Sequence, residues 1–196
     1  LGKVVHTSSL YYIENQAKLA QKLVENTCAE KAFFANSGAE ANEGAFKLAK
    51  IYYYKKGLDK YEIITLDKSF HGRTLATLSA TGQDVFHNYF FPFVEGFVNV
   101  PGNDIDALRK LIAEDKTICA VMFEFVQGEG GVNPLDKAFV DEIFKLCGEN
   151  DILTVADEVQ TGVGRTGAIL TSMRYGVKPD ITTLAKGIAG GVPMGA

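Results

Sequence analysis

The chain has 196 residues, 46% of them hydrophobic, and its 24 acidic and 20 basic side chains give a net charge of −4. That composition argues against a disordered chain, and mild acidity with no basic block argues against a surface for nucleic acid or anionic membrane. No apolar run approaches the ~20 residues that span a bilayer, and the length predicts one domain with chain enough for a sizeable core.

In chain order, residues 15–26 place Ala17, Leu19, Ala20, Leu23 and Val24 near helical spacing. Lys31–Ala35 reads as a short buried strand and Asn36-Ser37-Gly38 as a turn, with Ser37 suited to cap a helix that runs to about Lys56. Glu62–Leu66 is a second predicted strand, followed by a polar loop over 67–73 and a short helical stretch. A helix over 104–114 precedes a strand over Ile118–Phe125, a loop over 128–134, and an amphipathic helix over 136–149. In that last helix Phe139, Val140, Ile143, Phe144 and Leu146 face inward. Ile152–Asp157 and Ile181–Leu184 are two more apolar strands. Strands alternating with helices predict an α/β fold, a mostly parallel sheet covered by helices on both faces.

In open sheets of this kind ligands bind at the carboxyl ends of the strands. The segments just after the predicted strands are 36–39, 68–73, 124–129, 157–160 and 185–187. Between them they supply a carboxylate, a lysine, an arginine, an aromatic ring and a helix N-terminus, a set that suits a cofactor with a phosphate and an aromatic nitrogen. Asp157 closes an apolar run, so its charge needs a partner: a helix cap, an ion pair, or a pyridinium nitrogen kept protonated. Lys186 directly follows a buried strand, where it is either a rim lysine or an amine able to form a Schiff base. Ser37-Gly38-Ala39 opens a helix, either as a plain cap or as a phosphate site. Arg73 can grip a carboxylate bidentately or stand on the surface, and Phe70 can stack on a flat ring or fill core.

Other chemistries find little support. Gly162–Gly167 matches the G-x-G-x-x-G dinucleotide pattern, but it does not close a strand directly and only a short helical stretch follows. His6, His71 and His87 lack metal-ligand spacing, and neither a phosphate-loop motif nor a nucleophile elbow is present. The three cysteines, Cys28, Cys119 and Cys147, are odd in number and widely spaced, which reads as reduced thiols of a cytoplasmic protein.

Six segments in order carry a resemblance: HTSSLYY (6–12), FFANSGAEANE (33–43), YEIITLDKSFHGRTLATLSATGQ (61–83), FVQGEGGV (125–132), DEVQTGVGRTG (157–167) and PDITTLAKGIAGGVPMGA (179–196). With Lys186 29 positions after Asp157, the chain resembles the class III, fold-type I aminotransferases that use pyridoxal 5′-phosphate, and within them the acetylornithine aminotransferases. The resemblance implies a three-layer αβα sandwich, the cofactor-binding large domain of that fold. It also implies that residues 1–196 are an incomplete domain, lacking an N-terminal segment and a C-terminal small domain.

The family's roles then fall on matching positions. Lys186 resembles the Schiff-base lysine that also shuttles a proton, and Asp157 the partner of the pyridinium nitrogen. Ser37, Gly38 and Ala39 look like the phosphate turn, Phe70 like the ring-stacking residue, and Gln160 like the donor to the phenolic oxygen, with Val159 beside it. Arg73 resembles the arginine that binds the substrate α-carboxylate, and Glu129 a glutamate that helps admit two differently charged substrates. The implied reaction is a ping-pong amino transfer from N-acetylornithine to 2-oxoglutarate by a homodimer with interface sites. Phe125, where the family usually has proline, and Ser9, where asparagine is common, depart from the pattern.

Overall fold

The computed structural model describes residue 2 and residues 6–196. Helix α1 (Glu14–Asn26) has no fully buried residue, with Leu19, Ala20, Leu23 and Val24 half-buried along one side. Helix α2 (Gly38–Lys55) begins where Ser37 Oγ accepts the Glu40 amide at 3.2 Å, and it buries Ala41, Ala45, Phe46, Ala49 and Tyr53 along one face. Small side chains at intervals of four let that helix lie close on the sheet while the two rings fill the gaps.

Strand β1 (Glu62–Leu66), helix α3 (Leu75–Ala80), strand β2 (Phe97–Val100) and helix α4 (Ile105–Glu114) follow. Then come β3 (Ile118–Phe123), the two-residue strands β4 (Val126–Gln127) and β5 (Asn133–Pro134), and helix α5 (Lys137–Asn150). Strand β6 (Leu153–Asp157), helix α6 (Thr171–Tyr175) and strand β7 (Ile181–Thr183) complete the set, with short 3₁₀ turns at 84–86 and 186–189. The main sheet has five strands in the order β2-β1-β3-β6-β7, all parallel. Central β3 is buried along its whole length, which is why it reads as an unbroken apolar run.

Two hydrophobic clusters lie on the sheet. One joins Leu108 and Ile112 of α4 and Phe139, Val140 and Ile143 of α5 to Ile64, Val121 and Phe123. The other joins α2 to Ile63, Ala120, Met122 and Val155. Alternate residues of β1 and β3 thus face opposite layers, the arrangement expected of a three-layer α/β fold.

Four expectations need correction. Lys31–Ala35 forms no strand: Phe33 is 67% exposed, and only Ala35 pairs, through two 2.8 Å backbone bonds with Gly195. The strand expected to reach Phe125 ends at Phe123, because Glu124 turns its carboxylate to the Phe70 amide and the Phe125 carbonyl accepts from Leu135. The loop over 128–134 contains β5, which pairs antiparallel with β4. In α5 the innermost position of the last turns belongs to Cys147, with Phe144 and Leu146 only partly buried.

Candidate active site

The carboxyl ends of β1, β3, β6 and β7 open on one cavity of about 520 Å³. Ser37, Gly38 and Ala39 line it from the start of α2, Phe70 and Arg73 from the segment after β1, and Glu129 from the turn between β4 and β5. Asp157 closes β6, Val159 and Gln160 come just after it, and Lys186 follows β7. All the candidate residues named from the sequence are therefore gathered on one surface, because parallel strands release their chains at the same edge.

At the α2 N-terminus the first amides of the helix have no intrahelical acceptor. Ser37 Oγ takes the Glu40 amide, and the Ser37 carbonyl starts the helical ladder with Ala41, which leaves Gly38 and Ala39, both lining the cavity, as the first amides without a helical acceptor. A Cβ on Gly38 would stand 2.8 Å from a Val159 methyl, so only glycine lets the helix start lie this close to the β6 exit.

Asp157 is buried and fully bonded. Its Oδ2 accepts from Asn42 Nδ2 at 2.9 Å and meets His71 Nδ1 at 2.7 Å, and its Oδ1 accepts the Val159 amide at 3.0 Å. Asn42 also donates to the His71 carbonyl at 2.7 Å, tying α2 to the loop after β1. Burial alone pushes the His71 imidazole down, but the Asp157 bond and charge, with the Glu124 charge, leave it above its ordinary range. The group beneath the cavity is thus an Asp157 side chain held from behind by the His71 ring and the Asn42 amide group, placed to meet a cationic nitrogen on the cavity side.

Glu124 is a second buried carboxyl at the wall. Burial pushes it up to about 7, the His71 charge pulls down, the Asp157 charge pushes up, and the Phe70 and Gly128 amides pull down. Phe70 carries the Arg73 guanidinium 4.9 Å from its ring centroid and packs on Phe86 at 5.3 Å. Lys186 sits at φ +50° in the left-handed region, which a non-glycine residue rarely occupies and which costs about 1 kcal/mol or more.

The sequence places His71 and Glu124 in segments expected to converge but gives neither a role of its own, with His71 weighed only as a metal ligand, and it does not single out Asn42. The available signal was position: His71 and Glu124 follow strand ends, as Asp157 does. Phe125 proves to be core, fully buried with its ring edge-on to Phe123 at 5.2 Å and tilted on Tyr175 at 4.8 Å. The G-x-G-x-x-G stretch is a run of turns, and Asp180 bonds the Thr154 amide and hydroxyl at 2.8 and 2.7 Å. That carboxylate is occupied within the sheet and free for no ribose. All three cysteines are unpaired, and burial pushes the Cys119 thiol up to about 12. Among the described residues no cluster of metal-ligating side chains occurs, and no helix is long and apolar enough to cross a membrane.

The family model for class-III aminotransferases matches residues 1–196. An acetylornithine aminotransferase of Haemophilus ducreyi is 52% identical over all of this chain and 50% of its own length. One from Caldanaerobacter subterraneus is 52% identical over 98% of the chain and 49% of its own length. Among solved structures, the ornithine aminotransferase of Toxoplasma gondii superposes with a TM-score of 0.93 at 30% identity, covering 99% of this chain and 47% of that one. The N-acetylornithine aminotransferase of Stenotrophomonas maltophilia gives a TM-score of 0.84 at 38% identity, covering 99% and 48%. The chain spans about half the length of the relatives it matches, and by its sequence, its sheet and its gathered strand ends it belongs to the class-III aminotransferases.

Proposed function

We infer that the protein is a pyridoxal-phosphate-dependent aminotransferase that moves the side-chain amino group of N2-acetyl-L-ornithine to 2-oxoglutarate, giving N-acetyl-L-glutamate 5-semialdehyde and L-glutamate. The single observation that carries this reading is the convergence of Lys186, Asp157 and the open amides of α2 on one cavity. The donor set fits the cofactor: amides and a helix dipole for its phosphate, a carboxylate for its ring nitrogen, Gln160 for its phenolic oxygen, an aromatic side chain for its ring and an amine for its aldehyde. The Gly38 cradle, closed to any side chain by Val159, fits a bound phosphate as well.

When bound, the cofactor supplies an electron sink that acidifies the carbon bearing the substrate nitrogen. The chain's own residues do the rest. Lys186, as a free amine, would take the proton from that carbon and hand it to the carbon of the cofactor's aldehyde group, so that the amino group stays behind. Asp157 would hold the ring nitrogen in its protonated form, and His71 and Asn42 hold the Asp157 side chain in place. Arg73 takes the α-carboxylate of the amino donor, and Glu129 helps the site admit two differently charged substrates. In the intact protein a homodimer and a cytoplasmic location accord with the reduced cysteines and with exposed apolar side chains such as Phe33 and Tyr54.

Addition of pyridoxal phosphate to the apo protein is expected to produce a visible absorbance band that Lys186→Ala lacks. A rate panel of acetylornithine, ornithine, succinylornithine and 4-aminobutyrate then tests the donor. Preference for ornithine or 4-aminobutyrate by a wide margin would overturn the acetylornithine assignment, and light scattering of the intact protein tests the dimer.

A further inference from the structure

We propose that Glu124 is a positioning residue: it holds the Phe70 amide so that the Phe70 ring, with Arg73 stacked on it, forms the wall against which a flat cofactor ring packs. The inference rests on the cofactor reading above. Glu124 is the first residue after β3, only 5% exposed, and its Oε1 accepts the Phe70 amide at 2.8 Å across 54 positions of sequence.

Backbone bonds hold the start of the segment after β1, with the Asp67, Lys68 and Ser69 amides donating to Val100, Gly82 and Leu66, but residues 70–73 are neither helix nor strand and have no backbone ladder. Side chains from elsewhere hold the rest of the loop. Gln83 Nε2 donates to the Ser69 carbonyl at 3.0 Å, Thr81 Oγ1 accepts the His71 amide at 3.0 Å, and Asn42 Nδ2 donates to the His71 carbonyl. At Phe70 itself the grip is Glu124. An apolar side chain would fill the same space without the desolvation cost of a carboxyl group, so the acid is explained by what it accepts. Phe70 and Glu124 both line the cavity, and the same loop carries Arg73, so a shift of the Phe70 backbone moves the ring wall and the guanidinium together.

The test is the affinity of the intact apo protein for pyridoxal phosphate, read by absorbance titration, with the melting temperature of each apo variant as a check on folding. Glu124→Ala is expected to bind about tenfold more weakly, the effect of one buried amide left without its acceptor. Glu124→Gln keeps an acceptor for the Phe70 amide and is expected to stay within about threefold of wild type. If Glu124 acts through the ring, Glu124→Ala costs less than about twofold in a Phe70→Leu background. Should Glu124→Ala fail to fold, Glu124→Asp, whose shorter reach loosens the same bond, is expected to lose about fivefold and to lose that deficit with Phe70→Leu. Unchanged affinity in Glu124→Ala, an equal loss in both backgrounds, or a Gln variant as weak as the Ala variant overturns the proposal. A wild-type protein with no Lys186-dependent absorbance overturns the cofactor reading itself, which sets the two failures apart.

Discussion

Strands β3 and β6 are neighbours in the sheet and both release the chain onto buried acids, yet the two exits treat those acids differently. At the β6 exit every oxygen is answered. Asp157 has the imidazole, the Asn42 amide group and the Val159 backbone, and Glu158 accepts from the Thr171 and Ser172 amides at 2.6 and 2.9 Å and from Thr161 Oγ1 at 3.3 Å. At the β3 exit Glu124 is pushed up to about 7, because burial outweighs the donors it has. A buried carboxyl group bonded at every oxygen is held in place, whereas burial with fewer donors favours keeping the proton. The β6 exit is built as an anchor, the β3 exit as an adjustable wall.

The largest expected effect strikes the anchor. Asp157→Asn keeps the shape but removes the charge that a cationic ring nitrogen needs, and is expected to cost about 4 kcal/mol, on the order of a thousandfold in turnover. Steady-state kinetics beside the circular dichroism spectrum check it, and near-wild-type turnover would break the distinction between the exits.

Glu158→Ala tests the purely structural half of the same exit. Two helix-end amides and a hydroxyl would lose their acceptor inside the protein, so a loss of about 3–4 kcal/mol in stability is expected by denaturant unfolding. Cofactor affinity should fall far less than stability.

The β3 exit predicts a pH dependence. Glu124 holds its proton to about 7 when folded against 4.5 ordinarily, so its contribution to stability is full below about pH 4.5 and is lost as the pH rises to about 7. That loss is about 3 kcal/mol. The charges facing it are His71 and Asp157, with Arg73, Glu129 and Lys186 on the same cavity. His71, itself raised, adds a further fall at higher pH. Apo melting temperatures across this range should decline in wild type and flatten in Glu124→Gln; a wild-type curve that rises instead would remove the adjustable wall.

The smallest effect lies where the two exits touch. A Cβ on Gly128 would come within 1.4 Å of Gln160 Oε1, so Gly128→Ala must push the Gln160 side chain aside. A loss of about 1 kcal/mol in cofactor affinity, roughly fivefold, is expected by the same absorbance titration.

Much of this was legible in the chain itself. The unbroken apolar run of β3 and the largely apolar run of β6 announced buried parallel strands, and the polar residues at and after their ends announced the site, because a sheet gathers its strand ends whatever the loops between them do. The misreadings have a common cause. Lys31–Ala35 is apolar enough for a strand but finds a single partner at Gly195, and the end of β3 depends on a carboxylate reaching the Phe70 amide 54 positions away. His71 and Asn42 were visible as letters, but their meeting on Asp157 joins positions 86 and 115 apart. Hydrophobic periodicity is local, and it sets which segments are strands and helices and where the chemistry-bearing residues gather. Which donor reaches which buried acid is decided only when the layers close, since that choice depends on distances between segments that share no pattern in sequence.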